Sequence, residues 1–122
     1  MSYYNGRMPT CQVSILGTDY SIYLDVPESE DETLKTCDGY CDKTSHKIVV
    51  CEKGTDCNLD DYSEYRRRIM RHEIIHAFLF ESGLGGDSVW QVEGQEQPDQ
   101  TVDWIARQFP KILKAFQTVG AI

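Results

Sequence analysis

Long apolar runs are missing from this sequence. No stretch in its 122 residues approaches the ~18 consecutive apolar positions of a membrane-spanning helix, so no membrane role is expected. Positive charge is scarce as well. Twelve Lys and Arg stand against 20 Asp and Glu, a formal net charge of −8. Duplex-binding proteins carry a basic stripe to meet phosphates, so nucleic acid is not an expected partner. The opening residues, Met1-Ser2-Tyr3-Tyr4-Asn5-Gly6, lack the apolar stretch of a secretory signal. They read as a flexible extension over residues 1–9, ahead of one domain over 10–122, the size one hydrophobic core can support.

Cysteine is present in an odd number, five, at positions 11, 37, 41, 51 and 57. An odd count without an export signal suggests free thiols in a reducing, cytoplasmic compartment. Four of them lie between Cys37 and Cys57 with gaps of three, nine and five residues. A structural zinc site usually begins with a tighter pair, so these read as small residues in strands and turns.

Apolar periodicity divides the chain in two. In the first half Val13 and Ile15 alternate with polar neighbours, a turn is expected at Gly17-Thr18-Asp19, and Tyr20, Ile22, Leu24 and Val26 fall on one face. That is a hairpin. Pro27 to Glu32 reads as an acidic, solvated loop. Gly39-Tyr40-Cys41 and Lys47 to Cys51 bracket a second turn and form another hairpin. In the second half, Asp61 followed three residues later by Glu64 signals a helix start, and Gly83, Gly85 and Gly86 signal its end. Between them Tyr65, Ile69, His72, His76 and Leu79 share a stripe at helical spacing, widened by Ile74, Ala77 and Phe78. Arg66, Arg67, Arg68 and Arg71 read as its solvated flank. A further helix is expected after Pro98, with Val102, Ile105, Ala106 and Phe109 as its apolar stripe. Pro110 should interrupt it, leaving a short last helix with Ile112, Leu113 and Phe116. The expected class is α+β, a small antiparallel or mixed sheet packed on the motif helix and a downstream helix.

The chemistry concentrates in His72-Glu73-Ile74-Ile75-His76. Residues four apart on a helix lie about 40° apart around the axis and ~6 Å along it, so both imidazoles project to one side. Two neutral ring nitrogens there suit one zinc ion (Zn2+). Glu73, ~100° around from His72, sits near that point without being a ligand, where a carboxylate can move a proton from an attacking water to a leaving amine. The pair could instead be core histidines on an apolar stripe. Each would then need a polar partner, and the acid between them would have no role.

Residues 71–84, Arg71-His72-Glu73-Ile74-Ile75-His76-Ala77-Phe78-Leu79-Phe80-Glu81-Ser82-Gly83-Leu84, resemble the zinc helix of small HExxH proteins encoded by phages and prophages of Gram-positive bacteria. Asp38-Gly39-Tyr40-Cys41-Asp42 resembles the segment that precedes that helix, and Val102-Asp103-Trp104-Ile105-Ala106 their downstream helix. The similarity spans roughly residues 10 to 118. It implies a minimal gluzincin-type metallopeptidase domain acting on a peptide or protein substrate in the cytoplasm of a bacterial host. More distantly, the chain is similar to metallopeptidase domains that cleave phage repressors. The resemblance also implies that an acid on the downstream helix completes the zinc site, and that Tyr40 approaches the cleft, although a packed tyrosine suits that position too.

Candidates for the third ligand are Glu81, Asp87, Glu93, Glu96, Asp99 and Asp103. Glu81 should point away from the histidines and stay structural, while Asp87 and Glu93 fall in a polar loop. Asp99 and Asp103, four apart, resemble the gluzincin Glu-x3-Asp, in which the first acid binds metal and the second orients the first motif histidine. Asp99 is therefore the expected ligand, with Glu96 as the alternative. Aspartate is one methylene shorter than the usual glutamate, so its helix must come closer. The expected function is zinc-dependent peptide-bond hydrolysis with Glu73 as general base. The alternative is a phage interaction or structural protein that keeps the fold and binds zinc without turnover.

Overall fold

The computed structural model describes residues 4–54, 58–84 and 99–122, without the side chains of 99–103 and 106. Four strands, β1 (Cys11–Ile15), β2 (Thr18–Val26), β3 (Gly39–Asp42) and β4 (Lys47–Cys51), are followed by two helices, α1 (Tyr62–Glu81) and α2 (Asp99–Thr118). The strands form one mixed sheet in the order β1-β2-β4-β3. β1 and β2 pair antiparallel, β2 and β4 parallel, and β4 and β3 antiparallel. The fold class is α+β, as the periodicity predicts.

Both hairpins form where expected, with the first turn shifted to Leu16-Gly17. Both of these residues have positive φ, 51° and 94°, the backbone of a type I′ turn whose twist matches the flanking strands. In the second hairpin the Asp42 carboxylate accepts from the backbone N–H groups of Thr44 (2.9 Å) and Ser45 (3.3 Å) and from the Thr44 hydroxyl. These bonds to its charged form hold the Asp42 pKa down at about 2.

Alternation along the strands separates two cores. Tyr20, Ile22, Ile48 and Val50 join Ile69, Met70, Ile74, Ala77 and Phe78 of α1 and Ile112, Ala115 and Phe116 of α2. Tyr23, Val49 and Val26 face the other way, under Tyr4 and Leu34. Val26 therefore does not share a face with Tyr20 and Ile22. The register of β2 on β4 shifts between Tyr23 and Val26, and Asp25 has a positive φ of 56°. An irregularity of this kind turns every later side chain over.

The acidic segment after Pro27 is also more than a solvated loop. It folds into two short 3-10 turns, Glu28–Glu30 and Glu32–Lys35, that bury Leu34. Between them Asp31 accepts from the hydroxyls of both Tyr4 and Tyr40. Within the expected extension, residues 4–7 are docked on this face. Tyr4 is buried against Tyr23, and Arg7 pairs with Glu30 at 2.7 Å.

α1 begins and ends as read. The Asp61 side chain accepts from the Glu64 N–H at 3.0 Å. At the other end Leu84 N–H bonds Leu79 O and Gly83 N–H bonds Phe80 O, with Gly83 at φ 86°, the paired bonds of a Schellman motif. The end of α2 departs from expectation, because one helix runs through Pro110. A proline there costs about 3 kcal/mol, which burial of Ile112, Ala115 and Phe116 beyond it offsets. Two residues of the expected stripe are not buried, and the side chains of the other two, Val102 and Ala106, lie outside the described residues. Ile105 and Phe109 are 48 % and 52 % exposed, and the buried face lies at Ile112, Ala115 and Phe116. Pro98 lies outside the described residues.

The contact that positions α1 on the sheet is at Gly39. A Cβ there would sit 2.5 Å from Cγ2 of Ile69 and 3.0 Å from the Val49 carbonyl oxygen. Glycine lets the helix lie directly on the edge strand. We predict that Gly39→Ala destabilises the fold by about 1–3 kcal/mol, the usual cost of overpacking. Denaturant unfolding of Gly39→Ala, Ile69→Ala and the double variant checks the cause. The double should be at least ~0.5 kcal/mol more stable than the sum of the singles implies, and strict additivity would contradict the contact.

Candidate metal centre

The core face of α1 runs through Ile69, Met70, Ile74, Ala77 and Phe78. His72 and His76 lie on its flank and are exposed, which removes the reading as core histidines. Their rings meet edge to face, and the two Nε2 atoms are 3.1 Å apart. Two nitrogens bound to one tetrahedral zinc at ~2.0–2.1 Å would be separated by about 3.3 Å. A neutral Nε2–H···Nε2 bond has a similar length, so the distance permits both arrangements.

Glu73 adds the second observation. It is only 8 % exposed, and no hydrogen-bond donor among the described residues meets its carboxylate. Buried carboxylates are ordinarily paired or hydrogen-bonded. Its pKa is raised because burial penalises the charged form, against a smaller opposing pull from His72. Burial likewise lowers the pKa of His76, assisted by repulsion from His72, which favours the neutral ring that a metal requires. Among the described residues, His72, Glu73 and His76 are the group able to hold a metal ion, with one ligand atom from each lying within 4.8 Å of the others. The donor set fits zinc with the two imidazoles as ligands and Glu73 beside them.

A cavity of about 260 Å3 opens beside this group, lined by Asp38, Gly39, Tyr65, Arg68, Ile69, His72 and Glu73. Asp38 accepts from the Tyr65 hydroxyl. Sequence reasoning did not assign Asp38, Tyr65 or Arg68 to the site. For Arg68 and Tyr65 the signal was spacing, four and seven residues before His72 on the same helix.

The remaining candidates separate clearly. Glu81 accepts from the Thr18 hydroxyl (2.9 Å) and the Tyr20 hydroxyl (2.8 Å), fastening the end of α1 to β2. It is structural, as read, although its partners are distant in sequence. Tyr40 packs in the opposite core on Asp31 and does not reach the cleft. Trp104 donates to the Ser82 hydroxyl at 2.9 Å and ties α2 to the end of α1. Asp99 and Asp103 belong to α2 by backbone, but their side chains, like all of Asp87, Trp90, Glu93 and Glu96, lie outside the described residues. Cys11, Cys37, Cys41 and Cys51 are free thiols.

Set against protein-family profiles, curated proteins and solved structures, the chain matches none. What defines it is its own geometry, a small α+β domain with a His72-Glu73-His76 group of HExxH spacing on one helix.

Burial of Glu73 has a measurable consequence for the metal-free protein. Its folded pKa lies above the unfolded value near 4.5. Its contribution is therefore most favourable below that value and is lost as pH rises through the folded pKa. We predict that Glu73→Gln raises the metal-free melting temperature at neutral pH, with the gain shrinking toward pH 4.5. Melting in excess chelator checks this. A variant less stable than wild type at pH 7 would show that the carboxylate is satisfied in the fold.

Proposed function

We propose that this protein is a zinc-dependent peptidase that hydrolyses a peptide bond with Glu73 as general base. The observation that carries the reading is a largely buried carboxylate, with no hydrogen-bond donor among the described residues and a cavity beside it, next to two imidazoles whose Nε2 atoms lie 3.1 Å apart. Zinc bound there would supply a Lewis acid for the scissile carbonyl. His72 and His76 would hold it, with Asp99 or Glu96 as the proposed third ligand.

The chain's own residues supply the rest. Glu73, with its affinity for protons raised by burial, takes one from the attacking water and returns it to the leaving amine. β3 is an edge strand beside the cavity. Cys51 N–H bonds Asp38 O, so by antiparallel alternation Gly39 and Cys41 turn their N–H and C=O groups away from β4, the Gly39 N–H toward the Cys37 sulfur. An extended peptide pairing there passes along the His72–Glu73 face of α1. The likeness of residues 71–84 to phage-encoded HExxH helices further suggests a phage or prophage product working in the bacterial cytoplasm. Among the described residues no helix is long and apolar enough to cross a membrane.

The test compares zinc-loaded wild type with Glu73→Gln on a peptide library read by mass spectrometry. The amide keeps the size of the side chain and cannot accept the proton, so cleavage should fall about 10²–10⁴-fold while zinc content stays unchanged. Equal cleavage by both would remove Glu73 as the base. No cleavage by zinc-loaded wild type would favour an interaction protein that binds metal without turnover.

A further inference from the structure

We infer that Arg68 is the residue that selects the substrate, by binding a carboxylate on the leaving-amine side of the scissile bond. Four arginines cluster on the first half of α1, and three are engaged. Arg66 holds Asp25 through both carboxylate oxygens at 2.9 Å, while Arg67 and Arg71 share Glu64. Arg71 also donates to the Ala121 carbonyl at 2.7 Å. Glu64 stands four residues before Arg68, the usual partner spacing on a helix, yet its oxygens are taken by the other two. Among the described residues Arg68 is left without an ion pair or hydrogen bond, and it lines the cavity that also contains His72 and Glu73.

The direction of the sheet edge places that charge relative to a substrate. β3 begins at Gly39, against Ile69, and ends toward Lys43, whose ammonium lies 4.9 Å from the Phe80 ring centroid. It therefore runs in the same sense as α1. A peptide pairing antiparallel to β3 enters near Phe80 and leaves near Asp38 and Arg68, with its C-terminal side at the arginine. Asp38 is the other carboxylate in the cavity besides Glu73, and it is engaged by the Tyr65 hydroxyl. A guanidinium is always charged and offers a planar fork that matches a carboxylate. The ligand is thus a chain terminus or an acidic side chain just beyond the cleaved bond.

This inference rests on the peptidase reading for the direction of the bound peptide, so its test reads binding rather than turnover. Zinc-loaded Glu73→Gln protein would be titrated by fluorescence anisotropy with dye-labelled alanine hexapeptides. One ends in a free carboxylate and one in a carboxamide, and two amide-capped versions end in Glu or Gln. A carboxylate should tighten binding about tenfold, the usual range for a charged hydrogen bond. Comparing the free-acid and Glu peptides tells terminus from side chain. Adding Arg68→Ala should erase the preference, and Arg68→Lys should keep part of it. Arg68 is exposed, so neither substitution should disturb folding. Equal affinities, a preference that survives Arg68→Ala, or no saturable binding up to about 1 mM would overturn the assignment. If the preference holds while wild type cuts neither these peptides nor the peptide library, Arg68 remains a carboxylate-binding residue and the peptidase reading fails.

Discussion

The close approach of α1 to the edge strand at Gly39 is the constraint from which the rest of this structure follows. Without a side chain at that position, Ile69 rests against the strand backbone, and the flank of the helix one turn further on is brought to the sheet edge. His72 and Glu73 then border a cavity that also includes Asp38 and Gly39, where β3 begins. A bulkier residue would lift the helix and separate the acid from the strand. Fastenings at both ends hold the same placement. Asp61 caps the start, and Glu81 grips Thr18 and Tyr20 at the finish.

The site is assembled at the expense of stability. A largely buried carboxylate has no hydrogen-bond donor among the described residues, so its charged form is disfavoured in the fold. Perturbed groups of this kind cluster where chemistry is done, since a base is useful when its proton affinity is raised and its surroundings are dry. The fold compensates elsewhere. The second core gathers Tyr4, Tyr23, Val26, Leu34 and Val49, and Asp31, at its edge, accepts from two tyrosine hydroxyls and a backbone N–H. Residues 4–7 and the two short turns thereby close the face that the helices leave open.

Local signals were legible in the sequence, and tertiary ones were not. The caps of α1, the two hairpins and the i, i+4 histidine pair each depend on residues a few positions apart, and each appears where the pattern places it, apart from the shift of the first turn to Leu16-Gly17. The reversal of Val26 depends on one backbone irregularity at Asp25, which period-two reading cannot register. The passage of α2 through Pro110 depends on burial beyond the proline, which outweighs a local rule. The exposure of Ile105 and Phe109 shows that an apolar stripe identifies a helix without identifying the face it buries. In the site, spacing alone identified the two histidines and the acid between them. That Arg68 has no partner among the described residues was not legible, because Arg66, Arg67 and Arg71 find their partners through the fold and through competition for one glutamate.

The central claim is that His72 and His76 hold a zinc ion, and X-ray absorption at the zinc edge, combined with metal stoichiometry, addresses it most directly. The account predicts about one zinc per chain, with nitrogen and oxygen neighbours at ~2.0–2.2 Å and imidazole scattering that disappears in His72→Ala. Protein that takes up no zinc, or whose zinc is surrounded by sulfur at ~2.3 Å, would contradict it and move attention to the cysteines.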